Sequence, residues 1–254
     1  MVDSLTKHIT QIPIYFLPGT QCDEQLWQQV FELLPNHFTP HAIVLPHGKT
    51  PLEIVHALHQ QLIQYQPTSL NLVGFSLGGY LASLYATTYP EHLHKLFILA
   101  NAPRSLPNHE LTLRVQTLSY VNTYGYKGMP KKRIEQLLAD SNKNNTNIVN
   151  TISAMDKRGG QKMLEQQLTT TSKREDLISQ LITLPFDIKF VIGEEDNLVN
   201  IEQLTQELTV NSKEVSCDIS VDLIKDCGHM SPLESPQAVA KHLITFFNER
   251  VKEN

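Results

Sequence analysis

The chain has 254 residues, 41% of them hydrophobic and 19% charged, with a formal net charge of −5. That is enough for one α/β domain with a sizeable core, and it excludes a disordered chain. The acidic balance argues against general nucleic-acid binding, and no apolar run approaches the length of a membrane span.

In chain order, Gln11–Leu17 reads as a short buried strand closed by Pro18-Gly19. His41–Leu45 is the next strand-like run, ended by Pro46. Pro51–Tyr65 carries Leu52, Val55, Leu58, Leu62 and Ile63 at helical spacing, with Pro51 suited to a first helical position. Leu70–Phe75 is a strand ending at Ser76, Leu77–Tyr89 a helix ending at Pro90, and Lys95–Ala100 a further strand. From about Arg104 to Thr183 the strand-like runs vanish. Helical stretches at Lys131–Asp140 and Gly160–Leu168 flank a polar loop, Ser141–Asn147. Strand and helix then resume at Asp187–Ile192, Ile201–Leu208 and Asp218–Ile224, and a last amphipathic helix runs from Pro236 to about Val251. The expected fold is α/β: a mostly parallel sheet flanked by helices. Residues 1–103 and 184–254 form its core, and 104–183 form a helical insertion. Ligand sites in such sheets lie beyond the carboxyl ends of the strands.

The start, Met1–Lys7, lacks a basic segment followed by an apolar one, so no secretory signal is expected. Cys22, Cys217 and Cys227 show no C-x-x-C spacing and fit a reduced, cytoplasmic setting. Charge is unevenly spread. Arg104–Asp176 holds 12 Lys+Arg against 7 Asp+Glu, while the remainder holds 9 against 19. A solvated surface explains this; so does a docking face for an acidic partner.

Gly74-Phe75-Ser76-Leu77-Gly78 follows a strand and opens a helix, the context a G-x-S-x-G nucleophile elbow requires. The serine must make a sharp turn, and side chains at the flanking glycines would collide with strand and helix. A serine nucleophile needs a base, and the base an orienting acid. His229 sits in the Gly- and Pro-rich loop Asp226–Pro236, between the last strand and the last helix. The other histidines scatter over helix faces and early loops. Asp196 follows the turn at Gly193, with Glu194 and Glu195 as local alternatives for the acid. An oxyanion hole needs backbone donors. Leu77 N–H supplies one, and Thr20 N–H, in the loop after the first strand, is the candidate for the other. No histidine pair has zinc-site spacing, and the chemistry needs no metal or organic cofactor.

Together, Gly74–Gly79, Gly193-x-x-Asp196 and Gly228-His229-x-x-Pro232-x-Glu234-x-Pro236 resemble the α/β-hydrolase superfamily over nearly the whole chain. The resemblance implies a serine hydrolase with Ser76, Asp196 and His229 as its triad, and a cap where the helical insertion lies. The oxyanion segment departs from the commonest pattern, with Pro18-Gly19 in place of His-Gly; Trp27 stands where related esterases often carry Trp. Within the superfamily the chain looks like the small carboxylesterase branch that includes pimeloyl-acyl-carrier-protein methyl ester esterases of biotin synthesis. That likeness implies docking of an acidic acyl carrier protein on basic cap residues, here Lys131, Lys132, Arg133, Lys157 and Arg158. A carbon–carbon bond hydrolase or a menaquinone-pathway lyase could use the same triad. A slow-turnover ligand receptor could retain it.

Overall fold

The computed structural model describes residues 11–66, 68–211 and 217–248. Six strands, β1 (Ile12–Leu17), β2 (Phe38–Ala42), β3 (Leu70–Phe75), β4 (Leu93–Leu99), β5 (Ile188–Gly193) and β6 (Ile219–Ile224), form one sheet of order β2-β1-β3-β4-β5-β6. Every neighbouring pair is parallel. The helices are α1 (Gln28–Glu32), α2 (Pro51–Tyr65), α3 (Leu77–Thr88), α4 (Asn108–Tyr124), α5 (Lys131–Gln136), α6 (Thr146–Thr170), α7 (Ile178–Leu181), α8 (Ile201–Asn211), α9 (Ser231–Glu234) and α10 (Pro236–Asn248). No helix among the described residues is long and apolar enough to cross a membrane.

Both faces of the sheet are covered at its centre, so β1, β3, β4 and β5 are mostly apolar, whereas the edge strands β2 and β6 are half-buried. Side chains still alternate with the pleat. Tyr15, Leu17, Leu72, Leu96, Ile98 and Phe190 face one core with α2, α3 and α8. Ile14, Phe16, Val73, Phe75, Phe97 and Val191 face the other, with α1 and α10. α4 to α7 lie between β4 and β5 in the chain, within the stretch read as an insertion.

β2 begins three residues before the apolar run that was expected to form it. Register pairs Ile12 with Phe38 and Phe16 with Ala42, and only the Ile43 N–H continues the ladder, to Phe16 O at 2.9 Å. β2 is an edge strand. It tolerates Pro40 and is mostly half-buried, while the more apolar Val44 beyond it is 77% exposed. In the insertion, α5 stops at Gln136. α6 starts well before Gly160, because the Asn145 side chain caps it by accepting from the N–H groups of Asn147 and Ile148. The expected end of the last helix, residues 249–251, lies outside the described residues, as do residues 1–10 of the expected core.

Where α2 meets α3, His59 Nδ1 lies 3.0 Å from Tyr85 Oη, and its ring stacks on Tyr89 at 3.8 Å between centroids. Burial, then His92, then His56 lower the His59 pKa from its ordinary 6.5, against Glu91. Burial also lowers that of His242, against Asp222. A depressed histidine binds fewer protons folded than unfolded. Its stabilisation is therefore complete above the unfolded value and is lost as pH falls through the folded one. Thermal midpoints should be flat near neutrality and drop as pH falls below about 6.5. His59→Gln should flatten the slope; a slope unchanged by it would remove His59 from the account.

Candidate active site

β3 ends on Ser76, whose backbone is left-handed, with φ 51° and ψ −115°. Such strain in a residue with a Cβ costs on the order of 1–3 kcal/mol and must be held by the surroundings. The Ser76 N–H bonds Leu99 O at 2.9 Å, and its carbonyl accepts from Tyr80 N at 3.1 Å. Close approach holds the rest of the elbow. A Cβ on Gly78 would stand 2.3 Å from Leu17 O and 2.6 Å from Pro18 O. A Cβ on Gly19 would meet the Phe75 ring at 2.8 Å and Ser76 Cβ at 3.3 Å. The loop after β1 is thereby laid directly over the elbow.

A serine preceding a helix usually caps it with its hydroxyl. Ser76 makes no such bond. Its Oγ lies instead 3.0 Å from His229 Nε2, and His229 Nδ1 lies 2.9 Å from Asp196 Oδ2. The other Asp196 oxygen, Oδ1, accepts from Leu198 N at 2.8 Å, and the Asp196 N–H donates to Gly193 O at 3.0 Å. Asp196 and His229 are both buried. With Asp196 an acceptor, Nδ1 carries the proton and Nε2 is free to accept from the serine hydroxyl. Of the three carboxylates after β5, only Asp196 meets the histidine. Glu194 is exposed, and Glu195 Oε2 accepts from Asp140 N at 2.8 Å.

Leu77 is the first residue of α3, so its N–H has no partner within the helix and points from a positive helix end. Among the described residues, the Thr20 N–H donates to no backbone carbonyl. A cavity of about 360 Å³ opens beside Leu77. Pro18, Leu77 and Leu81 line it on one side, Ile43 to His47 on another, and Met163, Gln166, Gln167, Thr170 and Thr171 of α6 and its end on a third.

Of the basic residues of the insertion, Lys162 lines the cavity, whereas Lys131, Lys132, Arg133, Lys157 and Arg158 do not. Lys131, Lys132 and Arg133 are exposed on α5, and Lys157 and Arg158 on α6. Arg158 spends its guanidinium within the chain, with Nε 2.6 Å from Asp23 Oδ2 and an Nη donating to Gln25 Oε1 at 2.8 Å. Lys131 pairs with Glu135 at 3.6 Å.

Sequence reasoning gives no role to two carboxylates that the structure places at the site. Glu234 accepts from the backbone N–H of Met230 at 3.0 Å and of Ala139 at 2.7 Å, so it ties the His229 loop to the insertion. Asp156, 1% exposed, lies under the loop after β1. Asp156 had a visible signal: it falls four residues after Ile152 in the apolar stripe of α6.

A model of the alpha/beta hydrolase family matches residues 14–242. The pimeloyl-[acyl-carrier protein] methyl ester esterase of Vibrio vulnificus strain YJ016 is 33% identical over 96 residues, 36% of this chain and 37% of that protein. The enzyme of the same description from Aeromonas salmonicida strain A449 is 32% identical over 96 residues, 35% and 38% of the two chains. The match thus spans little more than a third of the length of these curated relatives. Among solved structures, a thermophilic esterase from Thermogutta terrifontis superposes with a TM-score of 0.80 at 19% identity, over 94% of this chain and 90% of that one. With six parallel strands in this order and the family match running from β1 to α10, the chain belongs to the alpha/beta hydrolase family.

Proposed function

We propose that this protein is a serine hydrolase that cleaves carboxylic esters through an acyl-enzyme. The observation that carries the reading is the run of contacts from Ser76 Oγ to His229 Nε2 at 3.0 Å and from Nδ1 to Asp196 at 2.9 Å. Nε2 takes the serine proton as Oγ attacks the ester carbonyl. The Thr20 and Leu77 N–H groups hold the developing oxyanion. The imidazolium gives its proton to the leaving alcohol. Water, deprotonated by the same histidine, then releases the acid and restores Ser76. Asp196 keeps the imidazole in the working tautomer and stabilises its charged form.

The finer part of the proposal is that the ester is a pimeloyl methyl ester borne on an acyl carrier protein, as in biotin synthesis. Its support is the description of the curated relatives and the exposed Lys131, Lys132, Arg133 and Lys157. In this reading residues 104–183 form a cap over a core built from the flanking segments. The setting is cytoplasmic, in keeping with free thiols on Cys22 and Cys227.

The test is nitrophenol release from acyl esters of increasing chain length, with fluorophosphonate labelling alongside. Turnover and labelling should both depend on Ser76, and the preferred length should reflect the 360 Å³ cavity. Labelling without turnover would reject simple esters as substrates and leave a competent nucleophile for another one: a carrier-borne ester, or the carbon–carbon or lyase chemistries. Absence of both would favour a receptor. For the carrier, Lys131→Glu, Lys132→Glu and Arg133→Glu together should raise KM for a carrier-borne ester at low salt and leave free esters unaffected. An unchanged KM would remove carrier docking on α5.

A further inference from the structure

Gln21 follows the Thr20 oxyanion candidate, and its backbone is left-handed, with φ 56°. A residue with a Cβ occupies that region only when something holds it there. The holding group is α6. The Gln21 side chain, 2% exposed, runs into the helix. Its amide nitrogen faces three acceptors: Asp156 Oδ1 at 3.2 Å, Gly160 O at 3.1 Å and Asp156 O at 3.5 Å. Only the NH₂ end of an amide can face three acceptors, so its orientation is fixed. The Gln21 backbone N–H is also taken up by α6, by Gln167 Oε1 at 2.9 Å.

The helix is shaped for this contact. A Cβ on Gly159 would stand 2.5 Å from Gln21 Oε1, and α6 breaks at Gly160, with φ 65° and ψ −171°, where the carbonyl accepts from Gln21. Asp156 is met by hydrogen-bond donors: Gln21, the Tyr126 hydroxyl, and the Met129 N–H at 2.7 Å. Burial, reinforced by that bond, pushes the Tyr126 phenol up, so it stays protonated and donates. A buried carboxylate in a stripe otherwise made of Ile148, Ile152 and Met155 is costly unless every oxygen is satisfied. Burying the helix alone would need no charge there. What Asp156 adds is a fixed point for the loop that crosses the nucleophile.

We propose that Gln21 and Asp156 are positioning residues: Asp156 anchors Gln21 to α6, and the anchored, left-handed Gln21 aims the adjoining Thr20 N–H at the Ser76 oxyanion. This inference rests on the esterase reading for the roles of Thr20 and Ser76. It makes seating of α6 a condition for a complete oxyanion hole. Substrate that fills the cavity between α6 and the sheet would act on both.

The experiment compares Gln21→Ala, Gln21→Gly, Asp156→Asn and the Gln21→Ala/Asp156→Asn double variant. Asn at 156 keeps the size but offers one acceptor oxygen in place of two, so its NH₂ meets the donors on one side and the anchor loosens. Removing an oxyanion donor outright lowers kcat by about 10²–10³, so misaiming one should lower it by about tenfold or more, with KM within about threefold. The double variant should fall no further than the worse single one, because both act on the same anchor. Gln21→Gly should retain more turnover than Gln21→Ala, since glycine takes the left-handed backbone freely. Amide hydrogen exchange over residues 17–25 should quicken in Asp156→Asn. The proposal is overturned if kcat stays within twofold, if the loss lies in KM, or if the two sites add. It is overturned equally if exchange does not change. Should the wild type turn over no ester, the esterase reading fails, and exchange alone then judges the anchor: faster sustains it, unchanged removes it. If Asp156→Asn does not fold, the two Gln21 variants decide by their order in kcat and by exchange.

Discussion

Ser76→Ala and His229→Ala should each lower kcat on nitrophenyl esters by roughly 10⁶, and combining them should lower it little further. Oγ and Nε2 are 3.0 Å apart and share one proton, so removing either ends the same step. A residual rate of about 10³–10⁴ over water should survive, carried by the oxyanion donors and by binding. Asp196→Asn should cost about 10⁴, and the structure supplies the reason. Leu198 N donates to Oδ1 at 2.8 Å, which fixes the asparagine oxygen on that side and turns its NH₂ toward His229 Nδ1. The ring must then accept at Nδ1 and carry its proton on Nε2, where it cannot take one from serine. Unfolding midpoints should move little for Ser76→Ala, because alanine suffers the same left-handed backbone. Burst and steady-state kinetics, read beside thermal melts, check the series. Losses below 100-fold for either single variant, or losses that add, would show that the three residues do not work as a unit.

The parts of this site that were legible in the sequence share one property: they are fixed by short-range geometry. Gly74, Ser76 and Gly78 form one turn at the end of a strand buried on both faces, and the apolar run marks that strand without ambiguity. Asp196 and His229 each follow a strand of the same sheet. β2 was misplaced because an edge strand needs only part of its surface apolar, so the apolar run His41–Leu45 marked the wrong end. α4 carries Leu113, Val115, Tyr120 and Tyr124 exposed, while its packed face rests on Val121 and Leu118 against α6, so most of its apolar residues do not mark that face. At Gly160 a break in helical geometry looked like a start, whereas α6 continues through it as a kink. Asp156 and Glu234 have nearer partners as well, but the bonds that join Gln21 to α6 and Glu234 to the insertion span 92 to 146 residues. No local pattern encodes such partners.

Glu234→Ala should cost about 1–3 kcal/mol of stability. Oε2 accepts from the Ala139 N–H at 2.7 Å and from Asn142 Nδ2 at 3.1 Å, and Oε1 accepts from the Met230 N–H at 3.0 Å. Ala139 is buried, so truncation strands its N–H away from water, at about 1–3 kcal/mol if it stays dry, while the buried Met230 N–H keeps its longer bond to Leu137 O. The partial exposure of Glu234 lets water reach the freed groups and holds the cost toward the lower end. Glutamine should fall between. Its oxygen can serve Met230 or the Ala139 side, and its NH₂ then meets donors on the other. The charge also leaves a signature. Burial raises the Glu234 pKa above its ordinary 4.5, against the hydrogen bonds that lower it. A raised group stabilises most below its unfolded value and loses that contribution as pH rises through the folded one. The gap between wild type and Glu234→Gln should therefore narrow as pH rises from 4 toward 7. For a chain of this size the alanine variant should melt about 2–12 °C lower at neutral pH. The bonds from His229 N and Met230 N to Leu137 O, at 2.9 and 3.2 Å, remain, so the loop should loosen and not detach, and kcat should fall with stability. An alanine variant within 0.5 kcal/mol of wild type would mean that those two bonds alone hold the histidine loop to the insertion, with Glu234 incidental.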